Sequence, residues 1–205
     1  MPIQRRAFLR HLVAGLPAGV WLGAAPPQPV LAVAAEPSVK RVPTAAQIRA
    51  SRPENWRLVD LINQYRRQQK LPEIPLSPRL TVVATLHVHD LAEQRPQDKF
   101  GSLHSWSLDP RWKGGAYRSG DKTTWGIMWD KAKEITGYPA VAFEICATGA
   151  RDMEQALEVW RASPNHHPVI LSRGVWAEPR WRWQALGAVF FQGFACAWFG
   201  NTADA

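Results

Sequence analysis

Ala140-Val141-Ala142-Phe143-Glu144-Ile145 is a short apolar run with a single acid inside it. It follows Gly137, and its length and content predict a buried β-strand. An unpaired carboxylate in such a strand would cost several kcal/mol. Glu144 therefore has to reach a cavity or meet a cationic, hydrogen-bonding or metal partner.

Helical patterns lie on both sides of this strand. Upstream, Ser51-Arg52-Pro53-Glu54 has the spacing of a capping box, and Leu58, Leu61, Ile62 and Tyr65 carry a first helix to about Gln69. Ser77-Pro78 opens a second helix that ends before Pro96, with Leu80, Val83, Ala84, His87 and Leu91 on its inner face. Residues 101–120 read as a loop, yet they hold His104, Trp106 and Trp112. A third helix is expected from Thr123 to Ile135. Downstream, Arg151 to Ala162 is a fourth helix stopped by Ser163-Pro164. The pattern from Trp183 to Phe191, the turn Gln192-Gly193 and the return through Phe199 make a hairpin. Four helices with three or four mostly antiparallel strands define an α+β domain with helices packed on the sheet.

Composition narrows the function classes. The 205 residues are 46% hydrophobic and 20% charged, an ordinary globular balance that excludes disordered and fibrous chains. The net charge is +8, and setting aside Arg5, Arg6 and Arg10 leaves 22 cationic against 17 acidic side chains. This mild excess is scattered, so no nucleic-acid footprint is indicated. Residues 1–34 read as a signal peptide: Arg5-Arg6-Ala7-Phe8-Leu9 precedes an apolar run too short to anchor in a bilayer and ends at Ala32-Val33-Ala34. The paired arginines resemble a twin-arginine export signal, so an extracytoplasmic location, periplasmic or secreted, is expected with no stable transmembrane segment after processing. Residues 35–50 read as a linker, 51–200 as the domain and 201–205 as a tail. Cys146 and Cys196 form an even pair, which an oxidising compartment would allow to bond; two buried thiols are the alternative.

The ordered motifs Asn63-x-x-Arg66, Leu76-Ser77-Pro78-x-Leu80, Ser102-Leu103-His104-Ser105-Trp106, Phe143-Glu144-Ile145-Cys146-Ala147, Trp160-x-x-Ser163-x-x-His166 and Leu186-Gly187-Ala188-Val189 resemble the CAP superfamily, the cysteine-rich secretory, antigen 5 and pathogenesis-related-1 or SCP domain. Trp129-Asp130-Lys131 and Trp198-Phe199-Gly200 point to its bacterial branch. The resemblance implies a three-layer α-β-α sandwich whose loops enclose a cleft with two histidines and two acids, in several members binding zinc or another divalent metal. Carried over by position, the metal-binding set is His104, Glu144, His166 and Glu134. The Gly-His-Tyr-Thr-Gln segment of animal and plant members is replaced here by Pro179-Arg180-Trp181-Arg182-Trp183-Gln184, which has no histidine.

His87, Trp106 and Trp129 are expected to wall the cleft, although an inward histidine such as His87 is more often a core residue than a ligand. His89 and His167 read as surface residues. No organic cofactor is indicated. The reading ranked first is a non-enzymatic binding module that engages a cell-envelope component, lipid or protein. The alternative is a metal-dependent hydrolase, a peptidase or esterase, with Glu144 or Glu134 as the candidate base. A serine mechanism would use Ser105 or Ser102 beside His104.

Overall fold

The strands β1 (Ala142–Thr148), β2 (Ala185–Phe191) and β3 (Phe194–Gly200) form an antiparallel sheet in the order β1-β3-β2. The computed structural model describes residue 39 and residues 41–204; the leader read at positions 1–34 lies outside them. Gln192 and Gly193 join β2 to β3 with φ of 46° and 83°, the left-handed backbone that a two-residue hairpin turn requires. Along the chain run α1 (Ala45–Arg49), α2 (Arg57–Gln68), α3 (Pro78–His89), α4 (Pro96–Phe100), α5 (Gly126–Trp129), α6 (Lys131–Thr136), α7 (Met153–Ala162) and α8 (His167–Ile170).

Because strand side chains alternate between faces, the sheet has two apolar sides. One carries Ile145, Ala147, Ala188, Ala197 and Phe199 against Leu58, Ile62, Leu157 and Trp160 of α2 and α7. The other carries Cys146, Val189, Cys196 and Trp198 against Leu80, Val83 and Ala84 of α3 and Met128 and Ala132 of α5 and α6. The result is the expected α-β-α sandwich, with β3 at its centre. Gly187 sets how closely α3 packs on β2: a Cβ there would lie 2.2 Å from the Leu80 carbonyl carbon.

The elements differ from the sequence reading at their ends. Within the segment assigned to a linker, Thr44 and Gln47 make a capping box at the start of α1, and Ile48 is buried. Ser51 does not cap α2, because its hydroxyl donates to the Ile48 carbonyl at the end of α1 (2.6 Å); a single tight turn at Pro53–Asn55 intervenes before Arg57. The third helix is two pieces meeting at Asp130. The tail is tied down: Asp204 accepts hydrogen bonds from the Ser77 hydroxyl (2.6 Å) and the Arg79 N–H (2.8 Å) in the first turn of α3.

Candidate functional site

Glu144 and Cys146 are two residues apart on β1, so both project toward the α3 side, where Cys146 faces Cys196 and Glu144 faces Trp198 on β3. His87 comes from the inner stripe of α3, one turn beyond Val83 and Ala84. The loop after α4 supplies His104. Three elements distant in sequence thus converge on one carboxylate, which is fully buried.

Glu144 is satisfied at both oxygens. His87 Nδ1 lies 2.5 Å from Oε1 and His104 Nδ1 lies 2.9 Å from Oε2. Burial alone would push the carboxyl up; the two histidines outweigh it and bring it down to about 2. His87 Nε2 faces the Ser105 carbonyl at 3.2 Å. A carbonyl only accepts, so that nitrogen carries a proton. Burial opposes charge on His87, yet Glu144 and Cys196 more than offset it, and the ring is held as an imidazolium well above its usual range. The ring also stacks on Trp106, with centroids 4.1 Å apart.

Above Glu144 opens a cleft of about 670 Å³ whose walls include Ser102, His104, Tyr117, Phe143, Glu144 and His166. Of the metal-binding set expected from sequence, His104, Glu144 and His166 therefore border one space. His104 Nδ1 is taken up by Glu144, which leaves Nε2 as the ring nitrogen open to a ligand. His166 Nδ1 is buried and has no hydrogen-bond partner. Burial, and then the neighbouring His104, lower the pKa of His166 and favour the neutral, metal-competent ring.

Glu134 lies elsewhere. Its carboxylate accepts from the Lys131 ammonium (2.6 Å) and the Lys113 N–H (2.5 Å), so it is engaged as the counter-charge of a fully buried lysine and does not line the cleft. Lys131 in turn lies 5.1 Å over the Trp106 ring. Trp106 is fully buried beneath the cleft rather than in its wall. Trp129 packs on Phe143 and Trp181, with centroids at 5.1 and 5.7 Å, behind the wall that Phe143 forms. His87 likewise lies under the cleft. Cys146 and Cys196 are free thiols whose sulfurs are 3.0 Å apart, against about 2.0 Å in a bonded pair. Ser105 is buried, and its hydroxyl accepts from the Tyr117 N–H (3.0 Å), which removes it as a nucleophile toward the cleft.

Sequence reasoning missed Tyr117, whose ring meets His104 edge-on at 5.3 Å. Its position in a Gly-rich loop carried no periodic signal. The direct bond of His87 to Glu144 was also missed, although the two observations that require it, an inward histidine and an acid in a buried strand, were both legible.

The model of the CAP family, the cysteine-rich secretory protein family, matches residues 59–177. This chain belongs to that family. No curated protein matches it. Among solved structures, an extracellular protein containing an SCP domain from Bacillus anthracis is similar, at 21% identity and a TM-score of 0.50, covering 78% of this chain and 44% of its own. The CAP chain thus spans less than half the length of that protein. An outer surface protein of Borrelia burgdorferi aligns at 15% identity and a TM-score of 0.48, covering 73% and 92%. A cysteine-rich secretory protein of Staphylococcus aureus aligns at 11% and 0.46, covering 73% and 39%. The first of these likenesses shows a shared CAP fold.

Proposed function

We propose that this CAP protein is an extracytoplasmic binding module whose cleft holds a divalent metal, zinc being the best fit, at His104 and His166. One observation carries the reading: His166 Nδ1 is buried without a partner beside a histidine whose other nitrogen is already fixed by a carboxylate. A buried imidazole nitrogen with no partner has lost its hydration for nothing unless a ligand completes it. Glu144 serves as the orienting carboxylate behind His104, the arrangement that sets the tautomer of a metal-bound histidine. A metal held there supplies an electrophilic coordination position for an oxygen of the bound molecule.

The signal peptide read from the sequence at 1–34 supports the location, as does the description of the Bacillus anthracis relative as extracellular. No helix among the described residues is long and apolar enough to cross a membrane. The partner is a cell-envelope component, a lipid or a protein that presents such an oxygen to the cleft. Binding is favoured over hydrolysis because both candidate bases are engaged, Glu144 by two histidines and Glu134 by Lys131.

Elemental analysis after zinc loading tests this reading. His104→Ala and His166→Ala should each lower the zinc content of the cleft; unchanged content in both variants rejects it. Turnover of peptide or ester substrates that disappears with the metal would establish the hydrolase instead.

A further inference from the structure

Beneath the cleft lies a second group of ligating atoms that the cleft reading does not use. One ligand atom each of His87, Glu144, Cys146 and Cys196 lies within 4.8 Å of all the others, and all four residues are buried. We infer that these four side chains form a separate, buried site for a transition-metal dication such as zinc, with two sulfurs, one nitrogen and one oxygen as donors. The inference stands apart from the cleft metal and shares only Glu144 with it.

The backbone builds the donor set. Cys146 and Cys196 are directly opposed on β1 and β3, which holds both sulfurs on the same side of the sheet. Glu144 is two residues from Cys146, so it projects to that side as well. His87 meets them from α3, with Nδ1 3.7 Å from the Cys196 sulfur. Its other nitrogen is anchored on the Ser105 carbonyl and its ring is stacked on Trp106. A backbone carbonyl on the far ring nitrogen is the support a metal-bound histidine characteristically has. Glu144 is also held from outside, through His104 on its second oxygen. Two thiolates with an imidazole and one carboxylate oxygen suit tetrahedral zinc better than magnesium or calcium, which prefer oxygen donors. A disulfide would account for the sulfurs but not for the imidazole nitrogen and carboxylate gathered around them.

Binding balances without redox change. Each cysteine releases its thiol proton and His87 releases its Nδ1 proton, so about three protons leave for each ion bound.

The test is a cobalt titration of the full chain, purified under reductant with its two thiols counted. The expected result is a sulfur-to-cobalt charge-transfer band in the near ultraviolet with the intense visible bands of a tetrahedral site. The sulfur band should vanish in Cys196→Ala and persist in His166→Ala. Loss of the cleft metal alone therefore leaves it in place, and the two readings fail separately. A chain with two free thiols and no sulfur band overturns the inference, as does a band unchanged in Cys196→Ala or a Cys146–Cys196 bond that resists reductant. Should Cys196→Ala not fold, Cys196→Ser, which keeps the side-chain volume, replaces it: a weakened or lost sulfur band supports the inference, and an unchanged band overturns it.

Discussion

Asn63 and Ile74 bond to each other twice: the side-chain amide donates to the Ile74 carbonyl and its oxygen accepts the Ile74 N–H, both at 2.9 Å and both buried. The contact straps the chain after α2 against the helix. Asn63→Ala would strand a buried N–H and C=O and should cost about 2–4 kcal/mol in urea unfolding. Asn63→Asp keeps only the accepting half and should also destabilise. Metal content per folded molecule is expected to stay constant in both.

Gly187 has no room for a side chain, because the neighbour a Cβ would strike is backbone of α3. Gly187→Ala should therefore destabilise by about 1–3 kcal/mol or more, read as a lower urea midpoint. Gly120, with nothing within 4 Å of its Cβ position, is the control. Gly120→Ala should stay within about 0.5 kcal/mol of the parent.

The two histidines on Glu144 differ in burial, and the carboxylate they share matters more than the more exposed one of them. Without metal and in the presence of chelator, Glu144→Gln takes the counter-charge from both histidines at once and should cost about 3–5 kcal/mol. His104→Ala removes one charge-assisted hydrogen bond from a partly exposed group and should cost about 1.5–3 kcal/mol. Chemical denaturation of both variants checks the order; a larger loss in His104→Ala would contradict it.

The Asp204 side chain is almost fully buried and caps the N-terminal turn of α3 while pairing with Arg79. Asp204→Ala should lower stability by about 1–2 kcal/mol. Limited proteolysis should then trim the C-terminus faster than in the parent.

The sandwich was legible because its elements are long and periodic. The inner stripe Leu80, Val83, Ala84 and His87 and the hairpin through Gln192-Gly193 each specify one local structure, and the ordered motifs specify how they combine. What escaped was set by contacts distant in sequence. Nothing near Asp204 announces that it caps a helix more than a hundred residues away, and Ser51 reads as a cap until α1 claims its hydroxyl. At the site, His104, Glu144 and His166 could be grouped by family position. Glu134 reads as the second acid from its place on the third helix, and only the three-dimensional placement of Lys131 shows that its charge is engaged elsewhere. The Cys146–Cys196 register depends on strand pairing that no spacing reveals.

Because Glu144 presents one oxygen to each histidine, it joins the buried floor of the site to the cleft above it. A substitution at Glu144 therefore disturbs both levels at once, whereas Cys196→Ala or His166→Ala touches only one of them.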